Sequence, residues 1–593
     1  MKRTISVLAL LLALSALYVS SQTFASNEHP LDSAMAGPVA PPADPSVVLR
    51  RMSLQIRGTI PTVAEIEAVR ANPSSLDQMA ESFLRDPDFA HYWGVYFASV
   101  FREQTKGRKV KYASFLNYIA QSLHQNKPYD VWTREMITAT GSPEKNPAVD
   151  MYLRDGADPL QVAEYVGRVF YGERVSCARC HDHPHMKFSR RDYYALAAFF
   201  SQQFEVRGSF DPTLFDGRAV PESLLENLPE QKRKEMEQKY RDWHRDAWKN
   251  MSKEERAEYK KKFEVQYATL YFAQDLGVRF PKSDDQPGGD LVAPKFPDGT
   301  VPKIREGEDR RVVFATWLTA QPRFRKVLIN RIWTRLMGWS FFAPLDDWNE
   351  NTKIQNEAVL GHLDKVFVEK NMRIKDLIYY IVTSKAYARR TSAPGDSDPS
   401  SIAYFQATRL DPDQLMNSIL RASGSLDVKA GDLRERSIAG ADRFSGRGKL
   451  LKTEENAKEI QNAYQVPRPA DDRSILAVFG SGDRMDIADD DKSITVEQVL
   501  TLLNGRFTGR LSWDYGKAGS AVAATYDRTK DMNQVYDTVF LSVLSRPAKA
   551  EEKERLRVLS AEKVGREKGE YRPEFLQDVV WAMFNSQEFL HVR

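Results

Sequence analysis

The residues best suited to chemistry lie in one short run, Cys177-Ala178-Arg179-Cys180-His181. This run contains the only two cysteines among the 593 residues of the chain. A Cys-x-x-Cys-His run is typical of c-type haem attachment, in which both thiols bond to the haem and the histidine binds its iron. The spacing lets one turn of chain present both sulfurs and places the next side chain beneath the iron. We therefore predict covalent haem c on Cys177 and Cys180, with His181 as the proximal iron ligand.

The same run allows two other interpretations. Cys177, Cys180, His181, His183 and His185 include enough nitrogen and sulfur donors for a zinc or iron site without haem. Alternatively, the two cysteines form a disulfide, either structural or redox-active. The absence of a second ligand pair argues against zinc, and the absence of a βαβ pattern argues against a thioredoxin-like disulfide. The sixth ligand of a haem iron stays open, because His183 and His185 are too near in sequence to reach its far side easily.

The N-terminus predicts export. Lys2 and Arg3 precede an almost wholly apolar stretch, and Thr23-Phe24-Ala25 offers a small-residue cleavage site. We expect a signal peptide at residues 1–25, cleavage after Ala25, and a periplasmic or secreted mature protein. No later stretch is long and apolar enough to span a membrane, so no transmembrane segment is expected after cleavage. This compartment agrees with the haem prediction, since bacteria attach haem c outside the cytoplasm.

Composition indicates a near-neutral chain with a large core. Lys and Arg number 85 against 81 Asp and Glu, a formal net charge of +4, so no nucleic-acid surface is expected. Hydrophobic residues make up 42% of the chain and aromatic residues 11%. The sequence has no nucleophile-elbow, phosphate-loop or dinucleotide motif. We interpret its best carboxylate pair, Asp346 and Asp347, as a cap or turn, because adjacent acids diverge in most conformations.

Helical periodicity dominates the sequence and predicts a mainly α fold, with no sustained strand pattern. Asp158-Pro159-Leu160-Gln161 is a typical helix start, and Ser189 with Asp192 has capping-box spacing. The Cys177–His181 run is therefore predicted to lie in a turn between two helices. Comparable start signals recur at Thr62, Asp411 and Thr495.

Changes in composition divide the chain into a leader, two multi-helix domains and the segments between them. The predicted parts are a signal peptide at 1–25, a flexible Pro/Ala-rich lead-in at 26–44, a first helical domain at 45–215, a charged helical insert with a linker at 216–300, and a second helical domain at 301–593.

Several motifs in this order resemble a family of large exported bacterial proteins. The most specific is Cys177–Pro184, followed by Asp192-Tyr193-Tyr194, and an opening motif spans Arg50–Thr62. Further motifs are Asn330–Trp333, Pro344–Asp347, Thr383–Tyr387, Leu502–Gly505, Ser545–Pro547 and Asn585–Phe589. Together they are similar to proteins that join DUF1549, called planctomycete cytochrome C type 2, to DUF1553, called planctomycete surface domain type 1.

The resemblance covers nearly the whole mature chain and implies export and a cytochrome-like site. We expect periplasmic electron transfer through the haem, to or from an unidentified redox partner. The surface-domain name suggests association with the cell surface or a polysaccharide. Two alternative functions stay open: a non-redox surface, scaffold or binding protein in which the motif is structural, and a metal-dependent enzyme that uses the Cys/His cluster.

Overall fold

The computed structural model confirms a mainly α-helical protein. It describes residues 29–35, 40–102, 113–143, 145–206, 269–272, 277–281, 289–392, 403–424, 462–466, 474–480, 495–515, 520–562 and 571–593, with short pieces at 234, 238, 250 and 252–255. The predicted signal peptide and most of the predicted charged insert and linker at 216–300 lie outside these residues.

The described residues form 24 α-helices. In chain order they are α1 Pro30–Ala34, α2 Pro45–Arg57, α3 Val63–Ala71, α4 Leu76–Arg85, α5 Pro87–Val100, α6 Ala113–His124, α7 Tyr129–Ile137, α8 Asp150–Leu153, α9 Pro159–Val166, α10 Arg190–Ala197, α11 Arg310–Ala320, α12 Pro322–Met337, α13 Glu357–Glu369, α14 Ile374–Val382, α15 Lys385–Ala388, α16 Pro412–Ser423, α17 Ile475–Val478, α18 Val496–Asn504, α19 Arg506–Asp514, α20 Ala521–Thr529, α21 Met532–Leu544, α22 Ala550–Glu562, α23 Pro573–Phe584 and α24 Gln587–Leu590. Short strands form two antiparallel pairs, β1 Gln203–Val206 with β2 Thr269–Phe272 and β3 Thr408–Arg409 with β4 His591–Val592.

The capping signals place several helix starts correctly. Asp158 accepts a hydrogen bond from the Leu160 N–H at 2.8 Å, and Pro159 occupies the first helical position of α9. Reciprocal capping boxes begin four other helices, at Thr62, Ser189, Asp411 and Thr495. In each, a side chain accepts a backbone N–H that has no partner within its own helix.

Helical periodicity predicts one helix each over Ile374–Tyr387 and Phe575–Phe589, but a serine divides each of these stretches. The Ser384 hydroxyl accepts a hydrogen bond from the Tyr387 N–H at 3.2 Å and starts α15 separately from α14. Ser586 accepts from the Phe589 N–H at 3.2 Å and separates α24 from α23 in the same way. The prediction of unbroken helices was wrong because serine offers the backbone an alternative hydrogen bond, which favours a new helix start.

The segment predicted as a flexible lead-in is instead packed against the protein where the structure describes it. Leu31 of α1 is fully buried. The Asp32 carboxylate accepts hydrogen bonds from the backbone N–H groups of Lys385 and Ala386 at 3.0 and 2.7 Å, at the start of α15. The Pro/Ala-rich composition predicts flexibility, but burial of Leu31 and the Asp32 carboxylate at the N-terminus of α15 hold this segment in place.

One hydrophobic core joins the described helices from α1 to the C-terminus. Helix α2 lies inside this core and is buried on nearly every side, including the side chains of Arg50, Arg51, Gln55 and Arg57. Within the described part of the chain, no helix is long and apolar enough to cross a membrane.

Candidate functional site

The segment that carries the cysteines begins as a regular helix and then changes its winding. Helix α9 continues into a π-helical turn, Gly167–Tyr171, which ends at Gly172 in the left-handed conformation, φ 69°. A short 3₁₀ turn, Val175–Arg179, follows and contains Cys177. A Cβ on Gly172 would lie 2.6 Å from a methyl carbon of Val327, so only glycine fits both the backbone angle and the contact with α12.

The 3₁₀ turn separates buried from exposed side chains. Val175 and Ala178 are packed in the core, while Cys177, Cys180 and His181 are exposed. The two cysteines are free thiols and not a disulfide. Both sulfurs and the imidazole are therefore accessible from solvent on one short piece of chain.

The His181 ring is oriented by its own neighbour. Its Nδ1 lies 2.7 Å from the Asp182 carbonyl oxygen, which can only accept a hydrogen bond. Nδ1 is therefore the protonated nitrogen of the neutral ring, and Nε2 keeps its lone pair. A backbone carbonyl that fixes the tautomer in this way is the usual support for a histidine that binds iron or zinc through Nε2.

His183 has a different role from His181. Its Nε2 lies 3.2 Å from the Arg174 carbonyl oxygen, and its Nδ1 accepts the His185 N–H at 3.1 Å. Both ring nitrogens are thus used to close the loop. His185 is exposed, and Met186 packs against the core.

These positions do not assemble the zinc or iron site considered as an alternative. That site would require Cys177, Cys180, His183 and His185 to converge. Among the described residues, no three His, Cys, Asp or Glu side chains are placed together to hold a metal ion. The His183 nitrogens are already engaged in the loop, which accounts for the missing convergence.

The loop after the cysteines is tied to α10. The Asp182 carboxylate accepts the Arg190 N–H at 2.7 Å, and the Arg190 guanidinium lies over the Phe280 ring, 5.0 Å from its centre. The Asp192 carboxylate, part of the capping box, also accepts Lys295 Nζ at 2.6 Å. The hydrogen bonds to Lys295 and Ser189 outweigh burial and hold the pKa of Asp192 below its ordinary value.

A buried carboxylate binds two arginines in the part of the chain that precedes the motif. Asp346, which is 1% exposed, receives two hydrogen bonds from Arg168, at 2.9 and 2.7 Å, and two from Arg174, at 3.0 and 2.6 Å. Burial alone would raise the pKa of Asp346, but the two guanidinium groups outweigh it and hold that pKa below the ordinary value. Asp346, one of the two adjacent acids interpreted as a cap or turn, therefore holds the segment that leads to the cysteines through its contacts with Arg168 and Arg174.

The carbonyl groups at the end of the π-helical turn are also satisfied from α12 and its loop. Arg331 donates to the carbonyls of Val169 and Arg168, and Arg323 Nε donates to the Tyr171 carbonyl at 2.7 Å. The Trp348 N–H donates to the Gly172 carbonyl at 2.6 Å. Helix ends leave such carbonyls without internal partners, so these contacts fix the position of the turn that precedes Cys177.

Glu173 is a largely buried acid that lies in the chain between the π-helical turn and the motif. It lies 3.0 Å from Arg323, and only 14% of its side chain is exposed. Burial raises the pKa of Glu173 to about 7; Arg323 lowers it and Asp347 raises it further.

The opening motif joins the N-terminal helix to the end of the chain. Arg50 donates to the carbonyls of Val543 and Phe589 and to the Ser545 hydroxyl, at 3.0, 3.2 and 3.1 Å. Its neighbour Arg51 is equally buried, and burial lowers the pKa of Arg51 to about 9. The Arg51 partners are the carbonyls of Tyr387, Arg389 and Arg593.

Gln55 completes this connection on the next turn of α2. Its Nε2 donates to the carbonyls of Arg335 and Leu336 at 3.0 and 2.8 Å, and its Oε1 accepts the Tyr387 hydroxyl at 2.6 Å. The sequence motifs quoted separately above thus contact one another in the folded protein. Sequence reasoning missed this because side chain-to-backbone contacts leave no periodic signal.

These features define a mainly α-helical protein with an exposed Cys-x-x-Cys-His run held in a buried framework. Two family models match the chain: the DUF1549 model, PSCyt2, over residues 33–205, and the DUF1553 model, PSD1, over residues 310–559, both described as proteins of unknown function. The chain belongs to the family of proteins that join these two domains, as its motifs predict. The Asn585–Phe589 motif lies beyond the second match. No curated protein and no solved structure matches the chain.

Proposed function

We propose that this protein is an exported c-type cytochrome-like protein that transfers electrons in the periplasm. In this proposal, the Cys-x-x-Cys-His segment between α9 and α10 holds the haem, with thioether bonds from Cys177 and Cys180 and with His181 as the proximal ligand. When bound, haem c supplies a one-electron carrier whose potential is set by its ligands and surroundings. The partner is a redox protein that docks where the run is exposed.

The single observation that best supports this proposal is the hydrogen bond from His181 Nδ1 to the Asp182 carbonyl. It directs Nε2 away from the loop and leaves it free to bind iron, whereas both nitrogens of His183 are occupied. The two exposed thiols next to it are chemically matched to the haem vinyl groups, since each S–H adds across one C=C bond without an external oxidant. A zinc site needs a convergence of donors that the same loop does not provide.

The framework around the motif supports the proposal from a second side. Asp346 and its two arginines, together with Arg323 and Arg331, hold the preceding turn to α12 and its loop. An electron carrier benefits from a rigid site, because reorganisation of the ligands slows transfer. Export through the predicted leader would bring the chain to the compartment where haem c is attached.

The test is a pyridine haemochrome spectrum of the full chain expressed with its own leader and a cytochrome c maturation system. We expect a c-type spectrum that survives acid-acetone extraction and is lost in the C177S/C180S double variant. The matched control is His185→Ala, an exposed histidine of the same loop, which should keep the spectrum. His181→Ala should keep covalent haem but change the spectrum of the reduced protein.

The opposite result is equally informative. No haem in the unmodified chain, with the maturation system shown to work on a control cytochrome, would reject the cytochrome proposal. Metal analysis and thiol titration of the same sample would then separate the metal-dependent enzyme from the scaffold or surface-binding role. A changed spectrum in the His185→Ala variant, together with an unchanged spectrum in His181→Ala, would show that His185 and not His181 binds the iron.

A further inference from the structure

A second candidate site lies far from the cysteines, where the two family regions meet. A cavity of about 280 Å³ is lined by Arg57, Asp88 and Tyr92 from the N-terminal helices and by Asn417, Arg421 and Tyr464 from the second region. None of its lining residues belongs to the segment from α9 to α10. Its volume is just below the range of small-molecule sites, ~300–1,000 Å³, and suits one ring rather than a chain of rings.

Two arginines, Arg57 and Arg421, and two acids, Asp88 and Asp413, line this cavity, so their formal charges cancel. Arg57 contacts Glu65 at 2.9 Å and Asp86 at 3.3 Å, and Arg421 contacts Asp88 at 3.5 Å. No large surplus of either sign is left in the walls. A free anion or cation would have to displace an existing partner, so the cavity is suited to an uncharged ligand.

The walls nevertheless keep unused hydrogen-bonding capacity. Among the described residues, the hydrogen bonds of Arg421 are long, at 3.5 Å to Asp88 and 3.4 Å to the Ile60 carbonyl, although a guanidinium group carries five N–H donors. Within the described residues, Arg57 Nε and Asn462 Oδ1 are buried without a hydrogen-bond partner. Buried polar atoms without a partner are unfavourable and rare in folded proteins.

The cavity also has an aromatic wall. Tyr464 stacks on His91, with ring centres 3.8 Å apart and planes 15° from parallel. This pairing fixes the orientation of the Tyr464 ring without a hydrogen bond. Hydrogen-bond donors and acceptors therefore lie beside an aromatic ring of fixed orientation. This arrangement complements a molecule that has hydroxyl groups on its edges and C–H groups on its faces.

We propose that this cavity binds a single neutral sugar residue. Its hydroxyl groups would accept hydrogen bonds from Arg421 and donate to Asp88, while its C–H face would lie against Tyr464. An amino acid is a poorer match, because its carboxylate and ammonium groups need unpaired charges. The inference does not depend on haem attachment.

The experiment is calorimetric titration of the full chain with methyl glycosides of neutral hexoses, pentoses and N-acetylhexosamines, with glucuronate and glycine as charged probes. We expect saturable binding of at least one neutral glycoside and none of the charged probes. Arg421→Met, which removes the donors but keeps the length of the side chain, should weaken binding at least tenfold.

A second variant keeps the test independent of folding. Gly424 lines the cavity, has φ +63°, and a Cβ there would meet nothing within 4 Å. Gly424→Asn is therefore tolerated by the backbone, since asparagine adopts left-handed angles, and it narrows the site. The matched control is Gly480→Asn, at another positive-φ glycine with free space but outside the cavity.

Gly424→Asn should abolish sugar binding and Gly480→Asn should leave it unchanged. The proposal is overturned if no neutral glycoside of the panel binds, if glucuronate or glycine binds instead, or if Gly424→Asn binds sugar as well as the unmodified chain. Because C177S/C180S should bind the sugar normally, failure of this proposal can be told apart from failure of the cytochrome proposal.

Discussion

At the scale of single residues, Asp346 has the most consequences for its surroundings. Its carboxylate forms ion pairs with both Arg168 and Arg174, and it is 1% exposed while the two arginines are 21% and 38% exposed. Removing the negative charge takes the shared carboxylate from two partly buried guanidinium groups and leaves their two like charges close together. Arg168 lies in the π-helical turn, and Arg174 directly precedes the 3₁₀ turn that contains Cys177.

Asp346→Asn should therefore lower the free energy of unfolding by about 2–3 kcal/mol, below the roughly 3–5 kcal/mol of a fully buried pair because the arginines are partly solvated. Guanidinium chloride unfolding followed by circular dichroism measures the change. The control is Asp527→Asn, whose carboxylate is 77% exposed beside Lys530 and should change stability by less than about 1 kcal/mol. Equal effects of the two substitutions would contradict a structural role for Asp346.

Glu173 gives the site a dependence on pH of the opposite kind to that of Asp346. Its pKa is raised from 4.5 to about 7 in the folded protein, chiefly by burial. Between these two values the folded state holds a proton that the unfolded state has released, so stability falls as pH rises through this interval. The pKa of Asp346 is instead lowered in the folded protein. This shift stabilises the fold at pH values above the ordinary pKa of an aspartate, and the contribution is lost as the pH falls through the pKa of the folded state.

Glu173→Gln should remove this dependence. The unfolding free energy of the unmodified chain, relative to the variant, should decrease from pH 4.5 to about pH 7 and then stay level. Since one pKa unit corresponds to about 1.4 kcal/mol, a rise of the pKa from 4.5 to about 7 gives a full change of about 3.5 kcal/mol. Urea unfolding of both proteins across this interval measures the difference, and a difference that is constant with pH would show that Glu173 is ionised throughout.

At the scale of elements, the turn before the cysteines depends on one glycine. Gly172 ends the π-helical turn with φ 69°, and its missing Cβ leaves space for Val327 of α12. Alanine there must adopt a left-handed angle and displace a β-branched side chain that has little freedom to move. The effect is therefore larger than that of a left-handed angle alone.

Gly172→Ala should lower the unfolding free energy by about 2–4 kcal/mol, the sum of backbone strain and overpacking. Gly424→Ala is the matched comparison, because it has a similar φ of +63° and no atom within 4 Å of the new Cβ. It should cost only about 1 kcal/mol. Thermal unfolding of both variants measures the difference, and equal losses would exclude the contact with Val327 as the cause.

Sequence reasoning succeeded at the element scale where a local signal exists. The starts of α3, α10, α16 and α18 follow from capping residues, which act within three positions of one another. It failed where the partner is distant. Arg50 and Arg51 look like a solvated helix face, yet their acceptors lie at Val543 and Tyr387, and no local pattern encodes that. The contacts of Asp346 with Arg168 and Arg174 were not predicted for the same reason.

The candidate site divides in the same way. The spacing of Cys177, Cys180 and His181 is local, so the sequence alone identifies the residues and their chemistry. The separate roles of His181 and His183 arise from carbonyl groups of Asp182 and Arg174, which only the folded loop brings into contact. The cavity beside Arg421 gave no signal, because it is built from residues hundreds of positions apart.

At the scale of the whole molecule, the two family regions are not independent bodies. Helix α2 belongs to the first matched region, and its buried polar side chains donate to carbonyls in the second, at Leu336, Tyr387 and Val543. The hydrophobic core is continuous across both regions. Separating them would expose the apolar surface that each now covers, and burial of such surface supplies most of the stability of a fold.

We therefore expect one cooperative unfolding transition for the full chain and none for a fragment of residues 26–300 or of residues 301–593. Differential scanning calorimetry and near-ultraviolet circular dichroism measure this directly. Co-expression of the two fragments is the control, because it restores the missing acceptors of Arg50, Arg51 and Gln55 and should recover a folded complex. A fragment that unfolds cooperatively by itself would show that α2 and its partners join two domains that are already stable, and the predicted division near residue 300 would then describe folding units as well as sequence families.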